Sequence, residues 1–406
     1  MRENIISAFK VRTYRVFALG NAVSMLGVWI QKVAAGWLAW DLSHSTVWLG
    51  LVAAADLIPA VLLSSVFGAL ADRHDKVRLL RGAQLAAMLE ALAVAALVFT
   101  GLITVEMLFV LTLLLGVANS VDQPSRLSLL REILPPAHIP AAVTFNSISF
   151  SVARFAGPML AGLTIAAANI GFTFLLTAVA LGGFLIGLMT LPVGAPRSSA
   201  ERPRLLGGVV EGFGYLKRHP VLRRAMMMTT LFGVTVGGVN QLLPALAGRV
   251  FERGVGGFVE MTVSAGLGAF AAGLLVFALP ARRGPLLGQP LCFAIAAAAL
   301  GVLALTSSYA LGVVSLFFGA FAATQSSIHV QSTINHEARA ESLGRVMGVY
   351  GALVRGAPAL GGFGIGSFAS MMPFSPLIGA CAVAMGGFCL WLLLARKTGG
   401  SRGGFR

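Results

Sequence analysis

Lys32, Asp56, Glu90, Arg154 and Arg355 each stand inside a long apolar stretch. If those stretches cross a bilayer, each charge costs about 2.5–3.5 kcal/mol to insert, so such groups face water, pair with one another, or carry function. Lys32 lies about seven residues before the end of its stretch and Asp56 about nine after the start of the next. At about 1.5 Å per residue both sit some 10–14 Å below one membrane face. Three chemistries are open to them. They neutralise each other as a structural pair; or Lys32 meets an anionic group of a bound molecule; or Asp56 carries a proton and titrates as Lys32 swings away. Pro59, one turn on, is expected to kink the helix beside them. Glu90, near mid-membrane, is a second protonation candidate or a neutral packed carboxyl. Arg154 is expected to face a cavity and to pair with a bound molecule or with a carboxylate such as Glu90. Arg355 occupies the matching place in the second half of the chain.

Uncharged polar residues at the same depth mark the rest of the expected cavity. These are Asn21, Ser24 and Gln31, then Asn146 and Ser149, then Asn240 and Gln241, and finally Gln325, His329 and Gln331. His329 reads as a pH-sensitive group or a hydrogen-bonded core residue. Glu106, Asp122 and Glu260 fall near the ends of their stretches, within reach of water, and receive no role. No Gly-x-x-x-x-Gly-Lys-Ser/Thr segment is present, so no built-in ATP hydrolysis is expected. No His/Cys group has metal-site spacing, and no soluble stretch is large enough to house an enzyme, so neither catalysis nor a cofactor is expected. Cys292, Cys381 and Cys389 lie in apolar runs and read as small buried hydrophobes.

The elements that must position these residues follow from composition. Of 406 residues 57% are hydrophobic and 11% charged, against about 25% charged in a soluble protein. Too few charges remain to coat a soluble body, which makes this an all-α polytopic membrane protein. Stretches of roughly 20 apolar residues can be drawn at 16–39, 47–71, 79–100, 103–121, 141–167 and 171–193, then at 225–248, 257–280, 286–307, 309–331, 343–370 and 375–395. The polar N-terminus runs into an apolar stretch too long for a cleaved signal, so a retained first span is expected. Of the 30 Lys and Arg, 25 fall at the termini, in loops after even-numbered spans or within the first three residues of the spans that follow those loops. The positive-inside rule therefore places both termini in the cytoplasm of a cell inner membrane. Trp37, Trp40 and Trp48 bracket the first outward loop as interfacial anchors. The net charge of +15 then serves topology and contact with membrane lipids, not nucleic acid.

The polar interruption at 194–224 divides six spans from six, giving bundles at 1–193 and 225–395 and a basic tail at 396–406. An amphipathic helix over 200–216, with Leu205, Val209 and Phe213 as its apolar stripe, suits that linker. The fifth span reads Val152-Ala153-Arg154-Phe155-Ala156-Gly157-Pro158, and the eleventh Leu353-Val354-Arg355-Gly356-Ala357-Pro358. An Arg followed by Pro and small residues, at the fifth span of each half, argues for a duplicated bundle.

Between spans two and three stands Gly68-Ala69-Leu70-Ala71-Asp72-Arg73-His74-Asp75-Lys76-Val77-Arg78. It resembles the cytoplasmic loop signature of the major facilitator superfamily, with Gly68, Asp72, Arg73, Lys76 and Arg78 matching in type and Asp75 in place of the usual Gly. Gly157-Pro158 resembles the antiporter motif of the same superfamily. Leu26 to Gln31 with Gly36-Trp37, and Asp122-Gln123-Pro124-Ser125-Arg126, resemble the branch containing the enterobactin exporter and its macrolide-efflux-like relatives. The resemblance implies two pseudo-symmetric six-helix bundles that work by alternating access, with Asp72 latching onto the start of span eleven near Leu343 to Arg345. It implies a monomeric secondary transporter exporting a small amphipathic molecule in exchange for protons. Uptake or lipid flipping by the same fold, and a non-transporting receptor or scaffold, are the competing readings. From the residues alone, Asp75 is placed to cap span three.

Overall fold

A computed structural model describes residues 7–73, 75–192, 214–216, 218–278 and 288–399. Capping and chain-breaking residues set its helix ends. α1 (Arg12–Ser43) stops where His44 turns left-handed at φ 47°. α2 (Thr46–Arg73) carries Pro59 within it. α3 (Lys76–Phe99) starts behind Asp75, whose carboxylate accepts from the Arg78 N–H at 2.7 Å, as the sequence leads one to expect. α4 (Val105–Ile133) starts behind Thr104, whose hydroxyl accepts from Met107 N–H at 3.3 Å. α5 (Ile139–Ala167) has a proline in its first turn, where the missing N–H costs nothing. α6 (Ile170–Met189) is capped by Asn169, which accepts from Gly171 N–H at 2.8 Å.

α7 is broken: Pro220–Gln241 and Leu243–Val250 meet at 45°. Pro244 cannot donate to the preceding turn, and π-helical stretches occupy Gly233–Gly237 and Leu246–Val250 on either side. The chain continues with α8 (Gly254–Ala278), α9 (Gln289–Leu305), α10 (Tyr309–Glu337), α11 (Ala340–Ala369) and α12 (Phe374–Gly399). Among the described residues there is no strand. Eight helices there are long and apolar enough to cross a membrane, or nine with the bent α7 taken as one. Thr46–Pro59 and Gln289–Leu305 are shorter apolar helices, so the expected total of twelve spans is not reached on this criterion. The amphipathic linker helix lies outside the described residues, apart from helical 214–216.

Contacts divide the chain into two units, Met1–His44 with Leu51–Gly208, and Ser45–Gly50 with Val209–Arg406. In the first, α1 packs on α5 and α6, and α3 on α4 and α6. In the second, α7 packs on α11, α8 on α10, and α9 on α10 and α12. The pairs of α1 with α5, of α3 with α4 and of α3 with α6 therefore recur six helices later. Small residues permit the closest approaches, since apolar association alone gains little in lipid. A Cβ on Gly157 would lie 2.5 Å from the Trp29 Cβ, and one on Gly361 only 2.1 Å from the Val234 carbonyl oxygen.

One cluster of the first unit gathers Tyr14, Phe17, Leu80, Leu129, Phe184 and Leu188. Beside it Arg81 reaches from α3 to the end of α6. It donates to the Leu188 carbonyl at 2.9 and 3.1 Å, to Met189 at 3.3 Å and to Leu191 at 2.9 Å. A cation there satisfies carbonyls that the ending helix leaves open and opposes its dipole. Arg81→Met is therefore expected to lower the unfolding free energy by about 1.5–3 kcal/mol, the range for hydrogen bonds from a charged donor. Thermal unfolding in detergent beside the exposed Arg78→Met checks this; equal melting temperatures for the two variants would refute it.

Candidate functional site

α1 is the spine of the polar interior of the first unit. Asn21, Ser24 and Gln31 fall at helical spacing along it, all buried, and so form one stripe. Lys32 and Trp29 flank the stripe at its C-terminal end. Two clusters grow from this stripe.

In the first cluster Lys32 and Asp56 form an ion pair, Nζ to Oδ2 at 3.2 Å, with Lys32 52% and Asp56 23% exposed. The other carboxylate oxygen of Asp56 accepts from Asn119 Nδ2 of α4 at 2.9 Å. One residue back on α1, Gln31 Nε2 donates to Glu90 Oε2 of α3. Trp29 carries two cations over its ring, Lys32 Nζ at 5.9 Å and the Arg154 guanidinium at 5.7 Å from the centroid. Phe150, one turn before Arg154 on α5, meets Trp29 edge-on at 5.8 Å. Gly157 lets α5 lie against the Trp29 backbone, and Pro158 follows it within the helix. Lys32, Asp56, Gln31, Glu90 and Arg154 thus lie around one stretch of α1. The expected contact of Arg154 with Glu90 does not form: Gln31 occupies the carboxyl, and Arg154 lies on Trp29.

The second cluster is legible only in part: Asn21, Ser24 and Asn146 are expected to mark the cavity, whereas Asp122 and Arg126 stand in the sequence only as part of a resembling motif. Asp122, expected near a span end and within reach of water, is 7% exposed because α4 runs on to Ile133. Its carboxylate accepts from Arg126 Nε at 2.5 Å and from Gln84 Nε2 of α3 at 2.7 Å. Arg126 also donates to Asn21 Oδ1 and, at 3.1 Å, to Ser24 Oγ, and lies over the Phe184 ring at 4.9 Å. Ser24 Oγ donates to Gln84 Oε1 at 3.2 Å, and Asn21 Nδ2 to Asn146 Oδ1 at 3.0 Å. Three helices, α3, α4 and α5, are joined to α1 by one chain of polar contacts. The i,i+4 spacing of Asp122 and Arg126 was the signal that could have found it.

The second unit brings together neutral groups. Gln325 is wholly buried and donates to the Ala272 carbonyl at 2.9 Å, while its Oε1 has no partner among the described residues. Ser326 Oγ donates to Gln289 Oε1 at 2.8 Å. Tyr350 shares hydrogen bonds with Ser327 at 2.7 Å and Gln331 at 3.1 Å. Asn240 lines a small cavity with Ser315, Val239 and Leu316. Gln241 lies at the Gly362 approach, and Arg355 is exposed on α11. At the loop motif, Gly68, Asp72 and Arg73 end α2 by their backbones; the Asp72 and Arg73 side chains lie outside the described residues, and with them the expected latch. Lys76 is ion-paired with Glu132 of α4, and Arg78 is exposed. Among the described residues no group of three or more His, Cys, Asp or Glu is placed to hold a metal.

Residues 4–399 match the family model of the transmembrane secretion effectors. The chain is 28% identical over 242 residues to the staphyloferrin A transporter of Staphylococcus aureus, covering 58% of this chain and 60% of that one. It is 19% identical to macrolide efflux protein A of Streptococcus pyogenes over 66% of this chain and 65% of the relative. With the multidrug efflux pump Tap of Mycolicibacterium fortuitum the identity is 27%, over 82% and 83%. The match thus spans less than two thirds of the first two relatives. Among solved structures, a bacterial homologue of the human lysosomal transporter Spinster superposes with a TM-score of 0.68 over 95% of both chains at 13% identity. The peptide transporter POT in complex with sulfate gives 0.70 over 95% of this chain and 94% of that one at 14% identity. At such identities the likeness shows the fold.

Proposed function

The chain belongs to the transmembrane secretion effectors of the major facilitator superfamily, a family of transporters and not of enzymes, and on that premise we propose that it exports a small amphipathic molecule by proton antiport. The molecule is siderophore- or drug-like, in keeping with relatives named for staphyloferrin A, macrolides and multiple drugs. The membrane is the cell inner membrane, with both termini cytoplasmic, and the working unit is a monomer. The two bundles alternate in opening a midplane path to either side, and Asp72 latches the inner gate.

The observation that carries the proposal is the Lys32–Asp56 pair with its exposed lysine at membrane depth. A charge more than half exposed cannot face hydrocarbon at that depth, so this face of the first unit is read as facing water. Asp56 has a donor on each oxygen, Lys32 and Asn119. A proton arriving on Asp56 cancels its attraction to Lys32, and the pair opens. Glu90, one helix away and held by the neutral amide of Gln31, is the second group able to take a proton.

Proteoliposomes holding the full chain test this with two cargoes, staphyloferrin A and erythromycin. Flux of at least one is expected to follow an imposed pH gradient, reverse when the gradient is reversed, and stop when a protonophore collapses it. Flux of both cargoes indifferent to the gradient would refute proton coupling.

A further inference from the structure

Counting the charges of the first unit at membrane depth leaves one cation over. Lys32 is taken by Asp56 and Arg126 by Asp122. Glu90, the remaining carboxyl at this depth, accepts from Gln31. Arg154 forms no ion pair with any described carboxylate, and no described residue accepts a hydrogen bond from its five N–H donors; its contact is the Trp29 ring. A cation 5.7 Å from the Trp29 centroid is held by the ring without using its N–H donors, and those donors keep the fork spacing that suits a carboxylate. A half-buried arginine whose donors find no acceptor among the described residues is costly at this depth unless something arrives to meet it. Apolar walls stand beside it. Phe150 precedes Arg154 by one turn on α5, is 45% exposed and lies edge-on to Trp29.

We infer that Arg154, Trp29 and Phe150 form a subsite for a carboxylate carried on a planar apolar body, so that the exported molecule is an organic anion. Its carboxylate takes the open edge of Arg154, and its apolar part lies against the aromatic pair. Lys32 stays with Asp56, so the anion site and the proton site are adjacent but separate. The inference rests on the transporter reading and narrows its substrate class.

The test is equilibrium binding of two probes of nearly equal shape, 1-naphthylacetate and the neutral 1-naphthylacetamide, to the full chain in nanodiscs. A hydrogen bond from a charged donor corresponds to a preference for the anion of about 10- to 100-fold. Arg154→Gln is expected to erase that preference while leaving amide binding in place. Arg154→Lys keeps the charge but loses the fork, and is expected to weaken anion binding severalfold. Equal affinities in the parent, no saturable binding of the anion, or a preference that survives Arg154→Gln each overturn the inference. If Arg154→Gln fails to fold, unaltered anion affinity in Arg154→Lys overturns it. Binding requires no gradient, so the outcomes separate. No anion preference in the parent, with gradient-driven flux intact, sinks the subsite alone, and anion preference in the parent with flux indifferent to pH sinks proton coupling alone.

Discussion

Arg126→Met is expected to lower the melting temperature on the order of 10 °C, the largest stability effect of any single substitution considered. Arg126 satisfies Asp122, Asn21 and Ser24 together. Without it Asp122 keeps only the neutral amide of Gln84 among the described contacts, at 7% exposure. An uncompensated buried charge of this kind costs about 3–5 kcal/mol, and in a body of some 200 residues each kcal/mol moves the midpoint about 2–4 °C. The double variant Asp122→Leu with Arg126→Met removes both charges and is expected to recover about half of the loss, since apolar replacement of a whole buried pair is often neutral. The rest stays lost, because Gln84, Ser24 and Asn21 give up partners. Thermal unfolding of parent, single and double variants measures this. A double variant no better than Arg126→Met would show that the hydrogen bonds, not the stranded charge, carry the cost.

How much of this was legible in the sequence depends on what each residue's position encodes. Depth is encoded by distance from the helix end. Lys32 and Asp56, counted from opposite ends of neighbouring helices, were expected at one level and meet there at 3.2 Å. Rotation about the helix axis is encoded only relative to the same helix. Glu90 is a partner the sequence offers Arg154, but nothing in their spacing says that Gln31 stands at the carboxyl and Trp29 beside the arginine. Helix ends are encoded by caps, and Asp75 and Asn169 act as such. The end of an apolar run is a different quantity. The fourth run was drawn to end at 121, whereas α4 continues to Ile133 with Asp122 and Arg126 sheltered by Gln84, Ser24 and Asn21. Hydropathy measures what a residue prefers around it. It does not register a polar neighbour brought from another helix, so paired buried charges look like a span boundary. The broken α7 had its signals in Gly233, Gly237 and Pro244, whose combined effect on one helix depends on its fit to Pro358 and Gly361 of α11.

Asp56→Asn is expected to reduce gradient-driven flux to the leak of empty liposomes while changing stability by less than about 1 kcal/mol. The two halves of that expectation have separate causes. The asparagine cannot exchange a proton, so the coupling step is lost outright. The stability term stays small because Lys32 is 52% exposed and can be hydrated once its partner is gone, as with other solvent-reached ion pairs. Lys32→Met acts in the opposite sense: Asp56 keeps Asn119 but loses the charge whose release marks protonation. The pair of variants combined then separates a coupling pair from a structural one. If each charge serves only to neutralise the other, Asp56→Asn with Lys32→Met leaves nothing to neutralise, and flux returns toward the parent. If Asp56 is the proton carrier, the double variant stays at the leak, folded and inactive. Flux in proteoliposomes with an imposed pH gradient, read beside the melting temperature of each variant, distinguishes them. Recovery of flux in the double variant would move the proton site from Asp56 to Glu90, the carboxyl one helix away, where Glu90→Gln is the variant that must then silence transport.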